Sequence, residues 1–231
     1  MDKTYIIAGA SSGIGLALAK KILENGDKVY ALSRNAGELI SHLKYSHIAF
    51  DFSSEGKLPD IIEKADALIY CPGSITLKPI ARLTGAELDK DYMLNTRSAF
   101  LFIQKYLSNI KDSADASILL FSSVAVQAGL PFHSSIAMAK GALEGLTRSL
   151  AAELSPGIRV NAIAPSLTNT PLAASLLNSE ARMEGNIQRH PLKAIGNPDE
   201  IASFAYYLLK NSKWVTGQVF GLNGGLGTII K

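Results

Sequence analysis

Tyr5-Ile6-Ile7-Ala8-Gly9-Ala10-Ser11-Ser12-Gly13-Ile14-Gly15 is an apolar run that ends in three glycines. It predicts a buried strand breaking sharply into a helix around a phosphate. Gly9 permits the turn, while Gly13 and Gly15 let backbone amides approach a pyrophosphate lying on the positive end of that helix. The helix is legible in Ile14, Leu18 and Ile22, which share one face, and in Asn25-Gly26, its stop signal. A glycine triplet alone also reads as a bare tight turn; the strand before it and the helix after it favour the nucleotide site.

Composition narrows the frame. The 231 residues suffice for one full core, and no shift in composition divides them, so a single α/β domain spanning 1–231 is expected. The amino terminus enters a strand without a basic-then-apolar leader, and no apolar run approaches the roughly 18 residues a membrane span needs. A cytoplasmic protein without a membrane partner is the expectation. Cys71 is the one cysteine, which excludes an internal disulfide, and with four scattered histidines it forms no metal-ligand cluster. A net charge of +3 without a Lys/Arg run gives no nucleic-acid footprint.

The spacing Gly-x3-Gly-x-Gly resembles that of the short-chain dehydrogenases/reductases, and the likeness runs nearly end to end. It implies a Rossmann-like, doubly wound parallel sheet of about seven strands with helices on both faces. It also implies that Gly9, Ser11, Ser12, Gly13, Ile14 and Gly15 line the cofactor. A cofactor with a free ribose hydroxyl is usually gripped by an acid at the end of the second strand. Here Ser33 stands in that place and Arg34 follows, so NADP(H) is expected over NAD(H); a solvated loop arginine is the alternative. Asp51, with Phe52 beside it, matches the position that contacts the adenine amine in the family, although an aspartate at a strand end also makes turns. The family's Asn-Asn-Ala-Gly becomes Tyr70-Cys71-Pro72-Gly73, keeping only the glycine. Pro165, Leu167 and Thr170 fit the family's Pro-Gly-x3-Thr at the carboxamide end, with Ser166 in place of the glycine.

The reactive centre departs more sharply. Thr84-Gly-Ala-Glu87 is a capping box that opens a helix running toward Asn109, and Asn95 inside it matches the asparagine that holds a relay water in the family. A strand from Ala116 delivers Ser122 and Ser123. In the family a helix follows with Tyr-x3-Lys, the tyrosine thirteen residues after the serine. Lys140 and Ser123 fit, and the residue at 136 is isoleucine. The usual proton donor is therefore replaced by a side chain with no proton to give. His133 shares a helical face with Ile136 and Lys140 and is the first substitute, a water held by Ser123, Lys140 and Asn95 the second. Ser134 and Ser135 read as helix caps. Residues 170–195 show no regular pattern and read as a lid over the site, and Asn197-Pro-Asp-Glu200 caps another helix.

Two functions stay open at this point, beside another reaction on the same scaffold such as an elimination or isomerisation. One is an NADP(H)-dependent oxidoreductase acting on an unidentified small carbonyl or alcohol, with Ser123, Lys140, Asn95 and His133 as its catalytic set. The other is a nucleotide-binding protein without catalysis, a sensor or an inactive subunit. The resemblance further implies a homotetramer or homodimer formed through helices near residues 85–110 and 135–154.

Overall fold

A computed structural model describes residues 2–229. Its strands are β1 (Thr4–Ala8), β2 (Lys28–Ser33), β3 (Tyr45–Ala49), β4 (Ala67–Tyr70), β5 (Ser117–Phe121), β6 (Arg159–Pro165) and β7 (Val219–Leu222). They form one parallel sheet in the order β3-β2-β1-β4-β5-β6-β7. β1 pairs Thr4 with Lys28 on one side and Tyr5 with Ala67 on the other. The strand order therefore reverses beside β1, and the crevice at its carboxyl end is where such sheets bind ligands.

The strands read as unbroken apolar runs because helices cover both faces. Every residue of Ala67–Tyr70 and Ser117–Phe121 is buried. On one face Leu18 and Ile22 of α1 (Gly13–Glu24) pack with Ile201, Ala205 and Leu209 of α6 (Pro198–Lys210). On the other, Phe102 and Tyr106 of α3 (Ser98–Ile110) join Leu143 of α4 (Ser134–Leu154). This is the doubly wound α/β sheet that the glycine stretch and the resemblance led us to expect. No helix among the described residues is long and apolar enough to cross a membrane.

Two local expectations change. Thr84 does cap α2 (Gly85–Tyr92), accepting from Glu87 N while Glu87 accepts from Thr84 N. The helix is then interrupted by a π turn, Met93–Arg97, before α3 begins. Inside that turn Asn95 is fully buried and donates from Nδ2 to Asp91 O and to Ser74 Oγ, each at 2.9 Å. Tyr70 Oη donates to Leu94 O at 2.6 Å, so the strand residue at the family's asparagine position ties the sheet to the same turn. The segment expected to lack regular structure carries a 3-10 turn, Pro171–Leu176, and α5 (Glu180–Arg189). None of α5's residues is buried, so the sequence had no apolar stripe to display.

Candidate functional site

The chain leaves β1 at Gly9, whose φ of +77° lies in the left-handed region that favours glycine. A Cβ on Gly15 would sit 2.1 Å from the Gly9 carbonyl oxygen, so only a bare backbone lets α1 start this close to the β1 turn. At the head of α1, the Ser12 side chain makes no cap hydrogen bond and the first turn holds no acidic residue. The amides of that turn are thus left to an outside anion. Those features fit the pyrophosphate of a dinucleotide.

A cavity of about 860 Å³ runs along the carboxyl ends of the strands. All the residues nominated from the sequence line it, from Arg34 and Asp51 at one end to Ser123, Lys140 and Thr170 at the other. Asp51 Oδ1 accepts from Ser53 N at 2.9 Å and Ser53 Oγ at 2.7 Å. These bonds, and to a lesser degree nearby Arg34, hold its carboxyl below the usual range. Asp51 therefore shapes its own turn, and a carboxylate has further lone pairs for a base amine. Phe52 packs its ring edge-on against Tyr70 and Phe102 and forms wall rather than a polar contact. Arg34 is exposed at the rim, while Ser33 donates to Asn35 O.

At the other end α4 sets Ile136 and Lys140 one turn apart on the cavity wall. Ile136 is 4% exposed. Lys140 Nζ donates to Phe121 O at 2.7 Å. Burial pushes its pKa down to about 8, with Cys71 pulling the other way; burial pushes the Cys71 thiol up to about 12, with Lys140 opposing. Gly73 is where Asn95 and Lys140 converge. A Cβ there would lie 3.1 Å from Asn95 Oδ1 and 3.7 Å from Lys140 Nζ. Ser123 Oγ accepts from Ala125 N at 3.2 Å and starts the short turn Val124–Val126.

His133 occupies the N-cap position of α4 without a side-chain cap bond. It is half-buried, and its Nδ1 lies 2.7 Å from Pro131 O, which fixes Nδ1 as the donor. Ser135 is not a cap, because Asp91 recruits it instead. That carboxylate, 1% exposed, accepts from Ser74 Oγ at 2.6 Å, Ser135 Oγ at 2.7 Å and Thr76 Oγ1 at 3.1 Å. Sequence reasoning missed this cluster, whose hydroxyls come from 15 to 44 residues away from Asp91 along the chain. It also missed His190, which lies on the cavity wall with Ser166. The one signal was Ser166 standing where a glycine was expected.

Residues 9–227 match the family model described as Enoyl-(Acyl carrier protein) reductase. A tropinone reductase homolog of Arabidopsis thaliana is 33% identical over 241 residues, covering 96% of this chain and 91% of that protein. A 3-oxoacyl-(acyl-carrier-protein) reductase of Rickettsia prowazekii is 30% identical over 234 residues, covering 97% and 96%. Among solved structures, a 4-hydroxyisoleucine dehydrogenase mutant complexed with NADH and succinate superposes with a TM-score of 0.88 at 27% identity, covering 99% of this chain and 100% of that one.

Proposed function

The chain belongs to the short-chain dehydrogenase/reductase family of oxidoreductases, and on that footing we propose that it moves a hydride between NADP(H) and a small carbonyl or alcohol. The observation that carries this reading is the single cavity in which Gly15, Arg34, Asn95, Ser123 and Lys140 meet. In this reading the first turn of α1 takes the pyrophosphate and Asp51 the adenine edge. Pro165, Leu167 and Thr170 take the carboxamide end. The absence of an acid at the end of β2, with Arg34 at the rim, supports NADP(H) over NAD(H): a guanidinium pairs with a 2′-phosphate that a carboxylate would repel.

When bound, the nicotinamide supplies the hydride donor or acceptor. The chain's own residues do the rest. Ser123 hydrogen-bonds the substrate oxygen, Lys140 grips the nicotinamide ribose, and Asn95 orders a relay water beside Gly73. Ile75, Leu77, Leu130, Leu172 and Leu226 on the cavity wall favour an apolar substrate body. Ile136 has no proton to give, and His133 at the cavity mouth is placed to exchange one with solvent. A positioned general acid is worth roughly 10²–10⁴ in rate, whereas orientation can contribute about 7–11 kcal/mol. The hydride site thus keeps most of its power without a tyrosine. Tyr92, Phe100 and Met138 are exposed on the helices expected to pair between subunits, which supports a homodimer or homotetramer.

The experiment is NADPH oxidation over a panel of ketones, aldehydes and quinones by wild type and Ile136→Tyr, with NADPH binding followed by fluorescence. Turnover by wild type supports the proposal. Binding without turnover until tyrosine is restored would instead favour a non-catalytic nucleotide sensor, the reading that Ile136 itself recommends.

A further inference from the structure

Ser166 follows Pro165 at the end of β6, and its Oγ lies 2.7 Å from Nε2 of His190. Nδ1 of the same ring lies 2.8 Å from Asn186 O. A carbonyl only accepts, so in the neutral ring Nδ1 carries the proton, Nε2 is bare, and the serine donates into it. A hydroxyl, an imidazole behind it, and an acceptor orienting the imidazole is the arrangement that lets a serine pass protons. Here the orienting group is a last-turn carbonyl of α5, at the negative end of that helix.

The pair is built in. His190 is 3% exposed, fixed by two hydrogen bonds and covered by the Gly224 turn, where a Cβ would lie 3.3 Å from the ring. Both residues line the cavity that holds Ser123 and Lys140. β5 and β6 pair Phe121 with Ile163, and Ser122 N donates to Ile163 O, so Ser123 and Ser166 leave the carboxyl ends of neighbouring strands. Neighbouring strands lie about 4.8 Å apart, which sets the two hydroxyls at adjacent strand ends. Among the described residues His133 has no such partner hydroxyl, and its Nδ1 is turned to Pro131.

We infer that Ser166 and His190 form the proton-transfer pair of this site, in the role that Ile136 cannot fill. The inference rests on the oxidoreductase reading. In oxidation the substrate hydroxyl gives its proton to Ser166 Oγ while Ser166's own proton passes to His190 Nε2. The carbinol C–H bond breaks, its electron pair leaves as hydride to the oxidised nicotinamide, and the C–O bond becomes a carbonyl. Alcohol and oxidised nicotinamide thus give carbonyl, reduced nicotinamide and one proton on His190, which then passes to solvent. Reduction makes and breaks the same bonds in reverse, starting from a doubly protonated ring.

The test compares wild type with Ser166→Ala, Ser166→Thr and His190→Gln. The probes are 1-phenylethanol with NADP⁺ and acetophenone with NADPH. NADPH affinity, Tm and nitrogen NMR of isotope-labelled histidine rings in the ligand-free protein are read alongside. Expected is a fall in kcat of about 10²-fold or more for Ser166→Ala and His190→Gln, with KM, Tm and NADPH affinity held. Ser166→Thr keeps most of the rate, and the His190 Nε2 signal moves in Ser166→Ala. An unchanged kcat in Ser166→Ala, or an unmoved His190 signal, overturns the inference. A kcat lost only together with Tm and NADPH affinity does the same, as does wild type that binds NADPH yet turns over neither probe. No NADPH binding by wild type would bring down the nucleotide reading and this inference with it.

Discussion

Lys140→Met should make the nucleotide-free protein more stable while disabling it. The lysine's pKa falls from 10.5 to about 8 because burial penalises the charged ammonium. That fall corresponds to roughly 3 kcal/mol against the folded state at pH 7. Methionine removes the charge but leaves Phe121 O without its donor, a loss of about 1–2 kcal/mol. The remainder, about 1–2 kcal/mol in favour of the variant, corresponds to a rise in Tm of about 2–8 °C for a chain of this size. The sign with pH follows from a folded-state pKa lying below the unfolded one. The penalty is whole below pH 8, fades as the folded lysine deprotonates, and is gone above 10.5, so wild type gains stability as pH rises through that window. Thermal melts of both proteins without nucleotide, at pH 7 and near pH 9.5, read this directly. NADPH should then raise the Tm of wild type and leave the variant unmoved. A variant that melts below wild type at pH 7, or a gap that does not narrow at the higher pH, would refute the reasoning.

Arg34→Glu should weaken NADPH binding about 10–100-fold, the loss of a charge-assisted contact, and leave NADH binding nearly unchanged; fluorescence titration with each nucleotide checks it. Gly15→Ala drives a methyl to 2.1 Å from Gly9 O, so NADPH binding should vanish and stability fall by about 3 kcal/mol or more, read as a lowered urea midpoint. Asp91→Ala strands the hydroxyls of Ser74, Thr76 and Ser135, and should lower unfolding free energy by about 3 kcal/mol in the same assay. Thr84→Ala removes half of the capping box and should cost about 1 kcal/mol without touching NADPH affinity.

The sheet was readable because burial on both faces leaves a one-dimensional signature. Ala67–Tyr70 and Ser117–Phe121 are apolar runs whatever their neighbours, and Asn197-Pro198 marks a helix start by local chemistry alone. The sharp turn from β1 into α1 was readable because it depends on backbone shape, and Gly9 and Gly15 report backbone shape. The polar networks were not. Asp91 and His190 acquire their partners only when separate elements pack, so their sequence surroundings carry no trace of the roles. The π turn at Met93–Arg97 escaped for a related reason: Asn95 Nδ2 donates to Asp91 O inside the turn and is held there by Ser74, which arrives from another loop. α5 shows the opposite failure, a real helix with no buried face to announce it.

The strand order β3-β2-β1-β4-β5-β6-β7 also dictates when this protein becomes competent during synthesis. β1 emerges from the ribosome first yet lies mid-sheet, and one of its edges stays bare until Ala67–Tyr70 arrives. At the typical ~5–20 residues per second, that edge waits several seconds, exposed to any extended chain nearby. The phosphate cradle could form early, between β1 and α1, but its far wall is supplied by Pro165 and Thr170, well over a hundred residues later. On the proposed function, a nascent chain would bind nucleotide tightly only after β6 has docked, and the nucleotide would act as a seal on the finished sheet rather than as a template for building it.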